Sequence, residues 1–289
     1  MHIFVTGATG WVGSAIVADL LAAGHQVTGL SRSADKGEVL AATGARVVHA
    51  SLDDHAALHE AANAADAVIH TAFNHDFSRF AENALQDRRV IEVLGDALHG
   101  SDRPLLVTSG LSGLKRGATE ADMAADASPR KSEQAARSLA ERGQRVATIR
   151  LAPSVHGVGE THGFMPILIR TAREKGVSAY IEEGANCWAG VHRLDAARVY
   201  RLALETGVTE PVYHAVAEEA VPFKDIASVI GRRLGLPVES REQEHFGWFA
   251  MMARADMSVS AARTRAALGW QPTGPDLIGE LDDDRYYAG

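Results

Sequence analysis

Tyrosine is missing from the first 179 residues of this 289-residue chain, whose five tyrosines begin at Tyr180. A phenolic proton donor is therefore excluded from the part of the sequence where most of the recognisable motifs lie. Cysteine is nearly absent as well: Cys187 stands alone and cannot form an intramolecular disulfide. No apolar run reaches the ~20 residues needed to span a bilayer. Met1 leads straight into a strand rather than into a basic and then apolar leader, so the cytoplasm is the expected compartment. Basic residues are the minority, 29 against 37 acidic, and the net charge of −8 argues against a dedicated nucleic-acid binder. Thirteen histidines include His55 and His59, four apart on an expected helix. Without a third ligand at suitable spacing they read as surface residues, and no metal is expected. What is plentiful is apolar surface, 46% of residues, enough for a sizeable core.

The first thirteen residues organise the rest. Ile3-Phe4-Val5 reads as a short buried strand that passes into glycines at 7, 10 and 13 and then into the amphipathic run Val12-Ile16-Val17-Leu20-Leu21. Strand, glycine turn and helix in this order suit a dinucleotide. Gly7 can take backbone angles forbidden to other residues, Gly10 lets a pyrophosphate approach the main chain, and Gly13 lets helix and strand pack closely. The free N–H groups of the new helix then face the phosphates. Thr6-Gly-Ala-Thr-Gly-Trp-Val-Gly13 resembles the nucleotide-binding turn of the short-chain dehydrogenase/reductase superfamily, in its extended, epimerase/dehydratase-like branch. The resemblance implies cofactor contacts from Gly7, Thr9, Gly10, Trp11, Val12 and Gly13.

Farther along, Gln26 to Leu30 reads as the second strand and ends in Ser31-Arg32-Ser33. An acidic residue at this distance from the glycines suits NAD, whereas a guanidinium between two hydroxyls suits the 2′-phosphate of NADP. The expected cofactor is accordingly NADP(H). Arg46 to His49 is a third strand, followed by Ser51-Leu52-Asp53-Asp54. There the resemblance puts Leu52 and Asp53 at the adenine, while helix capping by Ser51, Asp53 or Asp54 is the alternative. Ala67 to Phe73 is a fourth strand running into a loop, with Thr71, Ala72 and Phe73 beside the cofactor ribose by resemblance. Residues 79–98 form a long helix, its apolar stripe of Phe80, Ala84, Ile91, Leu94 and Leu98 accounted for by core packing. Leu105 to Gly110 is the fifth strand, and its terminal Thr108 and Ser109 point to where doubly wound folds hold their substrates. Arg145 to Leu151 is the sixth, followed by Ala152-Pro153-Ser154-Val155-His156-Gly157, which resembles the segment under the nicotinamide, with Pro153 and Val155 as contacts.

One departure limits the resemblance. The family carries Y-x-x-x-K at the start of the next helix; here Ser128 and Ser132 take the two positions of Ser128-Pro-Arg-Lys-Ser-Glu-Gln134, and Ser128 reads as a helix N-cap ahead of Pro129. An aliphatic hydroxyl cannot replace a phenol of reference pKa ~10 as a proton shuttle. Arg130 and Lys131 are nearby cations able to hold ribose or phosphate. With Ser109 and Thr108 on the substrate oxygen, Lys131 is the first candidate for proton donor, ahead of His156 or His192 at the cleft mouth. Asp195, in a stretch resembling the family's V-H-V-x-D-x-A signature, reads as a helix cap. Phe246, Trp248, Phe249, Met251 and Met252 either line a pocket or pack a helix face.

The fold expected is α/β: a Rossmann-type doubly wound parallel sheet over about 1–160, re-entered by about 190–215, with 161–289 mainly a small C-terminal substrate-binding lobe. The expected activity is that of an NADP-dependent oxidoreductase of the carbonyl reductase or alcohol dehydrogenase type, acting on a small-molecule substrate by hydride transfer. The alternatives are a nucleotide-sugar epimerase or dehydratase, and a non-catalytic NADP-binding redox sensor. Neither nucleic acid nor membrane is an expected partner. Related proteins often form a homodimer through the two helices that correspond here to about 79–99 and 129–142.

Overall fold

The computed structural model describes residues 1–124 and 128–287. Strands and helices alternate from the start: β1 (His2–Thr6), α1 (Trp11–Ala22), β2 (Gln26–Ser31), α2 (Ala34–Ala42), β3 (Arg46–His49), α3 (His55–Asn63), β4 (Ala67–His70), α4 (Phe80–Leu98), β5 (Leu105–Gly110), α5 (Ser132–Glu141) and β6 (Val146–Leu151). After β7 (Ser154–His156), α6 (Phe164–Lys175), β8 (Ser178–Tyr180), β9 (Cys187–His192) and α7 (Arg193–Glu205), the chain returns as β10 (Val212–Ala215). It closes with β11 (Glu218–Pro222), α8 (Phe223–Leu234), β12 (Val238–Ser240), α9 (Ala250–Arg254), α10 (Ala262–Leu268) and α11 (Leu277–Leu281).

Seven parallel strands form one sheet in the order β10-β6-β5-β4-β1-β2-β3. The order reverses between β1 and β4, which opens a crevice at their carboxyl ends, the place where such sheets bind ligands. Both faces are covered, so the central strands do not alternate between buried and exposed: β1, β4 and β5 carry no exposed residue. Ile3 and Val5 face α1 and α7, while Phe4 between them faces the layer of α3, α4 and α5. A second core joins α6 and α8 to Trp188, Phe223, Phe246 and Phe249, whose rings meet edge to face at 5.1–6.1 Å between Trp188, Phe223 and their neighbours. Packing thus accounts for Phe246 and Phe249, but Trp248 and Met251 are 63% and 84% exposed.

Two buried carboxylates lock the sheet to what surrounds it. Arg150 of β6 has no exposed surface and forks onto Glu133 of α5 at 2.9 and 2.6 Å. The same guanidinium donates to the Asp122 carbonyl at 2.7 Å and lies 3.0 Å from His214 of β10. Glu120 accepts from the Thr264 amide and hydroxyl at 2.7 and 2.6 Å, tying the loop after β5 to α10. Asp195 proves not to be a cap. His192 caps α7 through the Leu194 amide, whereas Asp195, one turn in and buried, accepts from the amides of Thr273 and Gly274 and so pins the chain ahead of α11. No helix of the described residues is long and apolar enough to cross a membrane.

Candidate functional site

At the end of β1 the backbone turns through Gly7 at φ 68°, a left-handed conformation that favours glycine. A Cβ there would meet the Thr71 hydroxyl at 2.6 Å and the Ala72 amide at 2.7 Å. Gly13 lies in the first turns of α1, where a Cβ would come within 2.0 Å of the Gly7 carbonyl oxygen, so any side chain would push the helix off the turn. Gly10 differs. It is the exposed N-cap of α1, with ordinary extended angles, and only the Gly7 carbonyl oxygen lies within 4 Å of a Cβ built on it. The space over the helix N-terminus is an open cradle that a side chain would fill. No acidic residue sits in the first turn of α1, so the positive end of the helix dipole is uncompensated there. This arrangement fits a pyrophosphate.

Around the cradle, Thr9 is half-buried and Val12 packs against the core. Trp11 bridges two segments: its indole donates to the Val155 carbonyl at 2.7 Å, and the Arg193 guanidinium stacks 4.1 Å from its ring. The Val155 carbonyl therefore already has a protein partner, and half-buried Pro153 leads into it. At the end of β2, Ser31 is buried and its hydroxyl donates to the Ser33 carbonyl at 2.8 Å. Ser33 caps α2 through the Lys36 amide. Arg32 between them is exposed, and its guanidinium has no partner among the described residues. At the end of β3 it is Asp54 that caps α3. Leu52 packs on the core, and exposed Asp53 is held by the Gln86 amide at 2.6 Å.

The substrate end lies beyond β4 and β5. Thr108 and Ser109 are both buried; the Thr108 hydroxyl bonds to that of Tyr200 at 2.8 Å, and no described residue hydrogen-bonds the Ser109 hydroxyl. Burial holds the Tyr200 phenol well above its ordinary range, which keeps it neutral. Contrary to the sequence reading, α5 does not begin at Ser128. It begins at Ser132 with Lys131 at the N-cap, because residues 129–131 lay Arg130 across the end of β5 instead. The Arg130 guanidinium stacks 4.1 Å over half-buried Phe73 and donates to the Thr108 carbonyl at 3.3 Å and the Ser132 hydroxyl at 2.9 Å.

From Ser132 a buried chain of hydrogen bonds runs back to the glycine turn. The Ser132 hydroxyl donates to Asp87 at 2.5 Å, and the other Asp87 oxygen lies 3.0 Å from His70 Nε2. His70 Nδ1 lies 2.7 Å from the Thr6 hydroxyl, which accepts from the Ala72 amide at 3.3 Å. Thr71 closes the same corner by donating to the Thr6 carbonyl at 2.7 Å. Ser132, at the position that matches the lysine of the resembling family, is thus wired through α4 and β4 to the first strand. Asp87 was the signal available beforehand. It lies three and four residues ahead of buried Val90 and Ile91, on the stripe assigned to core packing, and a carboxylate at such a position needs partners.

His156 is not at the mouth of the cleft. It is fully buried, with Nδ1 at 2.5 Å from Glu280 and Nε2 at 3.6 Å from Glu218; burial works to lower its pKa, but the two carboxylates prevail and raise it. His192 faces Glu280 at 3.6 Å, and burial lowers its pKa. Beside them burial pushes the Glu160 carboxyl up to about 7, against the pull of the Tyr286 hydroxyl that donates to it and of His156. A folded chain that keeps a proton on Glu160 binds more protons than the unfolded chain between the usual carboxylate range and about pH 7. Stability falls as pH rises through that window. Glu160→Gln is expected to flatten this part of the curve, by on the order of 1–2 kcal/mol after screening. Urea unfolding between pH 5 and 7.5 would show it, and parallel curves for the two proteins would refute it.

Residues 7–153, from the glycine turn to the segment after β6, match the family described as NAD(P)H-binding. The chain belongs to that family. This NAD(P)H-binding protein is 44% identical to an uncharacterized protein of Schizosaccharomyces pombe, over 99% of this chain and 100% of that one. It is 40% identical to an uncharacterized protein of Saccharomyces cerevisiae, over 99% and 98%. The fold is shared with dTDP-glucose 4,6-dehydratase of Streptomyces venezuelae with NAD bound, at TM-score 0.76 and 21% identity, covering 99% of this chain and 97% of that one.

Proposed function

We propose that this NAD(P)-binding protein is an NADP(H)-dependent oxidoreductase that reduces a small carbonyl compound, or oxidises the corresponding alcohol. The observation that carries the reading is Arg32, an exposed guanidinium without a partner among the described residues, at the end of the strand next to the open cradle. A 2′-phosphate is the group such a site is suited to hold. Gly10 and the first amides of α1 would take the pyrophosphate, and Asp53 the adenine. When bound, the cofactor supplies or accepts the hydride. The Ser109 hydroxyl would hold the substrate oxygen. Thr108, fixed by Tyr200 and Arg130, would keep that hydroxyl in place, and Lys131 at the start of α5 would supply the proton. The likeness to a nucleotide-sugar dehydratase supports a second reading, action on a nucleotide sugar, but no phenol from the first 179 residues is available for that chemistry.

NADPH is expected to bind more tightly than NADH, and Arg32→Ala to remove most of the difference, about 1.5–3 kcal/mol for a charge-assisted hydrogen bond. Calorimetric titration of both cofactors checks it; equal dissociation constants in the unaltered protein would rule the NADP(H) assignment out. Oxidation of NADPH by a panel of carbonyl compounds tests the activity itself. If none turns over, the oxidoreductase reading gives way to that of a cofactor-binding sensor.

A further inference from the structure

Arg130 is a cation held by neutral groups. Its half-buried guanidinium meets the face of Phe73, the Thr108 carbonyl and the Ser132 hydroxyl, none of them an anion. The nearest carboxylate in that chain, Asp87, lies one hydrogen bond farther on and is already engaged by Ser132 and His70. Burial accordingly pulls the Arg130 pKa down, with Asp87 and Tyr200 opposing. A guanidinium carries five donors, and here Nε and Nη2 are anchored while Nη1 has no acceptor among the described residues. The anchored half fixes the plane of the group across the end of β5, beside Ser109. A charge partly removed from water and left without a counter-charge among the described residues is costly unless a ligand provides one.

We propose that Arg130 binds an anionic group of the substrate, so that the carbonyl compound handled at Ser109 is itself an anion. The proposal rests on the oxidoreductase reading and adds to it the charge of the substrate. The chemistry required is an oxyanion on the same small molecule as the carbonyl, carried either by a carboxylate, as in an oxo acid, or by a phosphate, as in a phosphorylated ketone. Phe73 supplies a flat apolar wall under the guanidinium, which leaves the polar edge of the group for the anion. Asp87 and Ser132 act at a distance from the substrate, as positioning residues that hold Arg130 in this orientation.

The test compares matched substrates with the full-length protein saturated with NADPH: oxo acids against their methyl esters, and phosphorylated ketones against the free hydroxyketones. Whichever anion is used, its neutral counterpart is expected to have a kcat/KM lower by on the order of 10- to 100-fold. Arg130→Met, which keeps an apolar stem over Phe73, should abolish that discrimination, lowering kcat/KM for the anion far more than for its neutral counterpart. Arg130→Lys should restore part of it, and thermal unfolding of both variants confirms that they fold. Equal use of charged and neutral partners, or discrimination that survives in Arg130→Met, overturns the proposal while leaving the oxidoreductase reading intact. If no carbonyl compound oxidises NADPH, that reading fails by itself. Titration of oxalate and of inorganic phosphate into the protein loaded with NADP⁺ then decides: binding by the unaltered protein and not by Arg130→Met supports the anion site, and binding by neither overturns it.

Discussion

Arg150→Met is expected to destabilise the protein by about 3–5 kcal/mol, the cost of leaving a buried charge without its partner. Methionine fills most of the volume and keeps the strand apolar, so the loss comes from Glu133, whose two oxygens would lose the fork at 2.9 and 2.6 Å. The Ala124 amide would remain as a donor to that carboxylate, at 3.2 Å. The Asp122 carbonyl and His214 would lose their donor as well. Replacing both members with apolar residues, Arg150→Met with Glu133→Leu, should recover much of the loss, because it removes the uncompensated charge rather than exposing it. Denaturant unfolding of the single and double variants makes the comparison; a single variant within about 1 kcal/mol of the unaltered protein would show that the pair is not the lock described.

Gly10→Val is expected to abolish dinucleotide binding, more than 100-fold by calorimetry, while costing only about 1 kcal/mol of stability as a poorer N-cap. The position has φ −83° and ψ 177°, which valine adopts readily, and its Cβ would have a single tight neighbour, the Gly7 carbonyl oxygen at 3.2 Å. The added methyls therefore have space to occupy, and it is the space the pyrophosphate needs. Gly13 in the same motif has the opposite character, since a Cβ there collides with the backbone at 2.0 Å and the fold itself would suffer. Cofactor affinity unchanged by Gly10→Val would remove the cradle from the site.

The sheet was legible in the sequence because central strands buried on both faces carry short apolar runs, and β3 and β5 have the bounds expected of them, Arg46–His49 and Leu105–Gly110. Gly235 ends α8 at φ 65°, the left-handed cap that glycine favours. Local signals misled where long-range bonds decide. Ser128 and Pro129 look like a helix start, yet the helix waits for Ser132, whose hydroxyl is claimed by Asp87 45 positions earlier in the chain. Asp195 looks like a cap and instead holds residues 273 and 274, 78 and 79 positions away. His70 and Asp87 meet only because β4 and α4 bring them to the corner of the glycine turn, 17 positions apart in the chain, and the stripe that holds Asp87 reads locally as core packing. The exposed Arg32 was readable for the converse reason: its distance from the glycines is set by one short helix and one strand.

The buried chain from Thr6 to Arg130 also bears on what a redesign of this corner would have to change. Ser132 has no exposed surface and sits against Asp87 at 2.5 Å, so a larger side chain there has to displace that bond. A lysine at 132 would break the bond that holds the start of α5 to Asp87 of α4 and would set a second cation beside Arg130, so placing a tyrosine at 128 and a lysine at 132 would call for changes at Asp87 and Arg130 as well.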